Sequence, residues 1–177
     1  MNKFAILLLT ALLTLPLAGC DAGRIQEKSC LRAAAVSGGT VTELTLAFFS
    51  EDETVTVEGE DISAALKKAE LLKGRSIFTG YTELIVSDGQ NSKEILADML
   101  NERKVSPSCR VAYCENGRQL LEEHEAEQLV GTAEQAVRQG IAPECDIITV
   151  LGRLCADGAA AAAELYLDGT AGSRIIF

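Results

Sequence analysis

Six cysteines and a single histidine are the residues of this chain most capable of chemistry. The five cysteines that follow Cys20 are Cys30, Cys109, Cys114, Cys145 and Cys155. An odd number of thiols cannot pair completely, and no two closely spaced pairs have the spacing of a zinc site. Cys109 and Cys114 are five positions apart on a predicted strand, which argues against a local disulfide. We therefore expect free thiols that pack as small apolar side chains, with one disulfide as the alternative.

The histidine, His124, lies in an acidic segment that is predicted to be helical. Its acidic neighbours are Glu122, Glu123, Glu125 and Glu127. The second histidine of a zinc-binding H-E-x-x-H motif is missing, and no calcium loop with its glycine turn is present. The chain also contains no G-x-S-x-G nucleophile motif. We expect this segment to be a solvated helix face, and the sequence predicts a non-enzymatic protein without a bound metal or cofactor.

Composition narrows the class of protein further. The chain has 177 residues, 47% of them apolar, and a formal net charge of -10 at pH 7. This length suits one domain, and the apolar content is that of a folded globular protein. An excess of acidic residues argues against nucleic acid, because binding phosphates requires a surface rich in Lys and Arg. Composition therefore excludes nucleic acid as a partner and selects no single function.

The first residues have the pattern of an export signal. A short cationic start, Met1-Asn2-Lys3, precedes an apolar run from Phe4 to Leu17. As a helix that run would span about 21 Å, which is too short for a hydrocarbon core of about 30 Å. A short apolar run with a cationic lead and small residues behind it is typical of a signal peptide.

The end of this run is more specific. Leu17-Ala18-Gly19-Cys20 resembles the lipobox of bacterial lipoproteins. The resemblance implies cleavage between Gly19 and Cys20, a diacylglyceryl group on the Cys20 thiol and fatty acylation of the new N-terminus. The alternative is an ordinary signal peptide in which Cys20 is incidental. We predict a signal peptide over 1–19, a tether over 20–29 and a folded domain over 30–177, anchored to the extracytoplasmic face of a membrane through the lipid.

The elements of the domain follow from the periodicity of its apolar residues. Strands are predicted at 30–36, 41–49, 54–57, 76–87 and 109–114, the first three as an antiparallel meander, and a hairpin turning at Asp168-Gly169 ends the chain. Helices are predicted at 62–72, 91–100, 118–138 and 146–154. These elements predict an α/β fold of the α+β type, a single domain with a mixed β-sheet and three or four helices. Residues 160–177 could alternatively be the start of a second domain.

Local residues refine the helix boundaries. The apolar face of the first helix is predicted to contain Ile62, Leu66, Ala69 and Leu72. Asp61 is its predicted N-cap and Gly74 its end. Asn91 and Glu94 fit a capping box for the second helix. A kink or break is expected at Gly131 in the third.

Several of these features together resemble the N-terminal domain of the Ger(x)C-type lipoproteins, the C subunits of nutrient germinant receptors in endospore-forming bacteria. They are the lipobox cysteine Cys20, the charged stretch 24–28 before the first strand, and the stretch 73–86 with a strand, a glycine, an aromatic residue and an apolar strand. The fourth is a helix with Leu100 and Arg103 that precedes the next strand. Members of that family are about twice as long.

The resemblance implies a non-enzymatic subunit of a spore germinant receptor. Such a subunit is held by its lipid on the outer face of the inner spore membrane and associates with the membrane-embedded A and B subunits. The family has no defining set of catalytic or nutrient-binding residues, so only the role of Cys20 is carried over. The alternative is a stand-alone envelope lipoprotein or a small solute-binding lipoprotein. Phe78 is expected to pack in the core, with a partner surface as the alternative, and Tyr81 is expected in either place.

Overall fold

A computed structural model describes residues 27–49, 51 and 53–176. The strands are β1 (Ser29–Ser37), β2 (Thr42–Phe48), β3 (Val55–Gly59), β4 (Ile77–Phe78), β5 (Leu84–Ser87), β6 (Arg110–Tyr113), β7 (Ala160–Leu165) and β8 (Ala171–Ile176). The helices are α1 (Ile62–Lys73), α2 (Ser92–Asn101), α3 (Gly117–Glu123), α4 (Ala126–Arg138) and α5 (Ile147–Asp157). The predicted Cys20 lipid site, its cleavage position after Gly19 and the signal peptide lie outside the described residues.

One mixed sheet contains all eight strands. Its order is β3-β2-β1-β5-β6-β7-β8, with the two-residue β4 beside the start of β1. The strands β1, β5, β6 and β7 are parallel neighbours, whereas β2, β3 and β8 extend the sheet with antiparallel pairs. In register, Ala34 on β1 lies opposite Ile85 on β5, which lies opposite Val111 on β6. The predicted meander and the terminal hairpin are both confirmed.

Helices cover both faces of this sheet. All four residues of β5 are buried, as expected for a parallel strand in the middle of an α/β sheet. The helices α4 and α5 each pack on β6 and β7, and α5 also packs against α2. The largest fully buried side chains include Leu31, Leu44, Leu46, Leu84, Ile85, Leu96, Met99, Leu120, Leu129 and Ile147. The α/β fold with a mixed sheet is therefore confirmed, although it has five helices in the described part and not three or four.

The helix α1 has the predicted ends but not the whole predicted face. The Asp61 carboxylate accepts a hydrogen bond from the Ala64 amide at 2.7 Å, and Gly74 adopts the left-handed conformation with φ of 65° that ends the helix. The prediction that Leu72 is buried is wrong, because Ala69 is the last buried residue of the helix and the side chain of Leu72 is 70% exposed. The last turn of α1 therefore presents apolar side chains to solvent.

The capping box at Asn91 is also wrong. Asn91 has a φ of 50°, and in this left-handed conformation its side chain makes no hydrogen bond to the first turn of α2. The loop is closed by Asp88, whose carboxylate accepts hydrogen bonds from the Gln90 amide at 2.9 Å and from the Ser37 hydroxyl at 2.6 Å. The helix forms nevertheless, since Ile95 and its apolar neighbours are buried.

The predicted helix over 118–138 is two helices, and the break lies at His124 and Glu125, not at Gly131. Both residues have extended backbone angles between α3 and α4. Gly131 lies inside α4 with open space where a Cβ would be. One glycine costs a helix only about 1 kcal/mol, which the buried residues of α4 outweigh. The predicted strand over 76–87 is likewise divided, because a turn at Thr79 separates β4 from β5.

Candidate functional site

The N-terminal end of β1 is where the predicted tether joins the folded domain. The amide of Ser29 donates a hydrogen bond to the Ser76 carbonyl at 3.0 Å. Ser29 and Cys30 then pair in parallel with Ile77 and Phe78 of β4. The start of β1 is thus fixed against the segment that follows α1. This end of the sheet is the one that a lipid on Cys20 would hold nearest the membrane.

Two aromatic side chains lie at the same end. The rings of Phe78 and Tyr81 meet edge to face with centroids 5.0 Å apart, and the Lys28 ammonium lies 5.9 Å from the Phe78 centroid. Phe78 is half-buried, so its prediction as a core residue is wrong: β4 has only two residues at the margin of the sheet. Tyr81 is 53% exposed, so of its two predicted roles only the surface role fits.

The cysteines of the described part are free thiols, as predicted, but the prediction that they all pack as buried apolar side chains is wrong for Cys155. Cys109, Cys114 and Cys145 are buried, Cys30 is half-buried and Cys155 is exposed. Burial, reinforced by the Glu83 carboxylate, raises the pKa of the Cys109 thiol far above its ordinary value of about 8.5. Burial also raises the pKa of Cys114 and Cys145. At neutral pH these thiols are therefore protonated, which makes them apolar packing groups and poor nucleophiles.

We expect the free energy of unfolding to fall as the pH rises above about 8.5 because of these thiols. Each has a higher pKa in the folded chain than in the unfolded chain, so at alkaline pH the folded state binds more protons. The part of the free energy of unfolding that depends on the protonated thiol is fully present below the pKa that the thiol has in the unfolded chain. It is lost as the pH rises above that value. For Cys109 alone the loss is about 1 kcal/mol between about pH 8.5 and 9.5. Urea unfolding under reducing conditions, repeated across this range, measures it.

The control for this prediction is a second thiol outside the core. Cys109→Ala should show a smaller alkaline loss than the parent chain, whatever its stability at neutral pH. Cys155→Ser removes an exposed thiol and should keep the parent's loss. Equal alkaline slopes for Cys109→Ala and the parent would show that the Cys109 thiol does not contribute.

The acidic segment around His124 lines a cleft of about 460 Å³. The break between α3 and α4 forms one wall, and the ends of β1 and β2 form the other. All four of its predicted glutamates are exposed there, in agreement with the predicted solvated face: Glu122, Glu123, Glu125 and Glu127. His124 differs, because it is half-buried and its Nε2 lies 2.8 Å from the Leu167 carbonyl oxygen. That hydrogen bond joins the helix break to the β7–β8 turn, so His124 has a structural role.

Arg32, which the sequence did not single out, lies at the base of this cleft. A register shift between Leu31 and Ala33 interrupts β1 at this residue. The Arg32 Nη1 donates to Glu127 at 2.7 Å, and its Nε lies 3.4 Å from the Glu83 carboxylate. Its guanidinium carbon lies 4.2 Å from the centroid of the Phe49 ring. The positive charge of Arg32 is thus balanced by the Glu127 and Glu83 carboxylates, and the lining of the cleft remains acidic.

The cleft is suited to attracting a cation by charge. Its ionisable side chains are mainly carboxylates, and its one imidazole is engaged by a backbone carbonyl. Across the described residues, no group of three or more His, Cys, Asp or Glu side chains is arranged to hold a metal ion. None of the helices in this part of the chain is long and apolar enough to cross a membrane.

Comparison with known proteins found no protein-family model and no curated protein that matches this chain.

Proposed function

We propose that this protein is a membrane-anchored, non-enzymatic lipoprotein subunit of a spore nutrient-germinant receptor, which acts through contacts with other proteins. The observation that carries the proposal is the sequence Leu17-Ala18-Gly19-Cys20 at the end of a short apolar run. A diacylated and N-acylated cysteine holds a protein on a bilayer almost permanently, since each buried CH₂ contributes about 0.8 kcal/mol. The resemblance to the Ger(x)C-type lipoproteins supplies the kind of complex and its membrane-embedded A and B partner subunits.

The fold is compatible with this role. The strand β1 begins nine positions after Cys20, so a lipid on Cys20 would hold the domain close to the bilayer. Exposed faces of a rigid α/β domain on a short tether are available to neighbouring membrane proteins. The buried, protonated thiols and the structural bond of His124 fit a protein that works by contact.

The test is mass spectrometry of the full chain expressed in a bacterium that processes lipoproteins. The expected product lacks residues 1–19, begins with Cys20 and carries the mass of a diacylglyceryl group. The matched control, Cys20→Ser, should keep its signal peptide and lose the lipid. An unmodified soluble product with Met1 intact would overturn the anchoring. The receptor role requires, in addition, that multispanning membrane proteins co-purify with the lipidated chain from spores after crosslinking.

The second candidate is a solute-binding envelope lipoprotein, which the acidic cleft favours. A carboxylate-lined cleft of about 460 Å³ can hold a small cationic solute by charge. This candidate predicts a lipidated protein that purifies without multispanning partners and binds such a solute in calorimetric titration, with binding weakened when Glu123→Gln removes one charge from the lining.

A further inference from the structure

We infer that the end of the domain next to the tether rests on the bilayer that holds the lipid of Cys20; this rests on the proposed function. The contact surface, which we name the tether-end patch, consists of Leu71, Leu72, Phe78 and Tyr81. Leu71 and Leu72 form the last turn of α1, and the two aromatic residues belong to β4 and the loop after it.

The connection between α1 and β4 places these residues beside the point where the tether begins. Only four positions separate Leu72 from Ser76, whose carbonyl accepts the hydrogen bond of the Ser29 amide. The Glu70 carboxylate accepts a hydrogen bond from the Ile77 amide at 2.9 Å, which fixes the end of α1 against β4. The tether and the tether-end patch therefore lie at the same end of the sheet.

The exposure of this patch is unusual within the molecule. Leu71 is 83% exposed and Leu72 70% exposed, more than any other large apolar side chain that the structure describes. These two adjacent leucines are not buried in the core, because the buried face of α1 ends at Ala69. Exposed leucine side chains contribute a favourable free energy of burial once an apolar phase covers them.

The chemistry of the patch matches the interfacial layer of a bilayer. Leucine side chains enter the boundary of the acyl chains, and tyrosine prefers the level of the headgroups. Lys28, above the Phe78 ring, and the exposed Arg75 can extend their charged ends towards the headgroups while their aliphatic stems stay against apolar surface. The net charge of the chain is -10, so the contact we propose is apolar and does not depend on anionic lipid.

The length of the tether limits where the domain can sit. From Cys20 to Glu27, the first described residue, there are seven residue steps, which span at most about 25 Å. The opposite end of β1, eight steps beyond Ser29, lies about 26 Å farther along the sheet. Val41, which is 52% exposed, follows that opposite end. With the tether-end patch on the bilayer, Val41 points into water.

The absence of tryptophan from the sequence allows a single fluorescent probe to test this orientation. Leu72→Trp and Val41→Trp are each made in the full, lipidated chain and reconstituted into phosphatidylcholine vesicles, with and without brominated chains. We expect the Leu72→Trp emission to shift to shorter wavelength on vesicles and to be quenched by brominated lipid at least twice as strongly as that of Val41→Trp. Without vesicles, both probes should emit as water-exposed tryptophan in a chain that begins at Asp21 and so carries neither the signal peptide nor the lipid.

Three other results would contradict either the inference about the patch or the proposed function. If mass spectrometry finds the lipid on Cys20 and the Leu72→Trp probe on vesicles is quenched no more than Val41→Trp, the inference about the patch fails and the anchoring stands. If the Leu72→Trp emission is already shifted without vesicles and sedimentation shows an oligomer, a second copy of the chain covers the patch and the inference is overturned. If no lipid is found on Cys20, the proposed function itself fails.

Discussion

Gly59→Ala is expected to lower the free energy of unfolding by about 2–3 kcal/mol, although it adds only one methyl group. Gly59 ends β3 two positions before Asp61, the N-cap of α1. A Cβ on Gly59 would lie 2.8 Å from the Asp61 carbonyl oxygen and 2.9 Å from the Ala65 Cα, and still closer to the Ala65 amide nitrogen. These are backbone atoms of the first turn of α1, which the Asp61 cap holds in place. Because no flexible side chain can move aside, the strand or the helix must shift.

The measurement is urea unfolding followed by far-ultraviolet circular dichroism, since the chain contains no tryptophan. Gly131→Ala is the matched control. Its Cβ would meet nothing within 4 Å inside α4, so the substitution should raise the free energy of unfolding by up to about 1 kcal/mol. If both variants change the stability by the same amount and sign, the close approach at Gly59 does not constrain the fold.

The sequence predicts those elements whose signals are local. The ends of α1 follow from two residues, because a carboxylate at Asp61 can cap a helix and a glycine at position 74 can take a left-handed conformation. The terminal hairpin follows from alternation on both sides of Asp168-Gly169. In each case the physical cause acts within a few residues of the chain.

The features that the sequence could not predict depend on distant partners. Leu72 has the right spacing for the buried face of α1, but periodicity does not reveal that the sheet beneath the helix ends before it. The break at His124 is stabilised by bonds with residues distant in the chain: the His124 ring bonds the Leu167 carbonyl, and the Arg32 guanidinium donates to the Glu127 carboxylate. The irregularity of β1 at Arg32 has no glycine or proline to mark it. From the sequence alone, the acidic cleft is therefore recognisable only as a charged helix face.

The order of the strands in the sheet is the most extensive feature that the sequence could not predict. The sequence predicted a meander followed by helices and further strands, and a mixed sheet, but not that β1 lies between β2 and β5. The three alanines Ala33, Ala34 and Ala35 on β1 give a reason for that position, because a strand with small side chains can be covered closely on both faces. Their composition could equally have suggested a helix, since alanine favours helices by intrinsic propensity.

Ile85→Ala is expected to lower the free energy of unfolding by about 3–4 kcal/mol. Ile85 is the second residue of β5 and is fully buried between β1 and β6. Its direct partners in register are Ala34 and Val111, so small side chains surround it within the sheet. Because β5 is paired on both sides, the backbone cannot move to fill the space that the lost carbons leave. The cost therefore contains both the lost burial and an unfilled cavity, and urea unfolding measures it.

Ile175→Ala is the matched control, with the same change made on the strand at the free edge of the sheet. Ile175 is 59% exposed on β8, whose one neighbour among the described strands is β7, so its substitution should cost no more than about 0.5 kcal/mol. Ile85→Val, which removes a single methyl group, should fall between the two at about 1 kcal/mol and keeps the comparison measurable if Ile85→Ala does not fold. Similar losses at positions 85 and 175 would contradict the strand order, because a central strand and an edge strand would then be energetically equivalent.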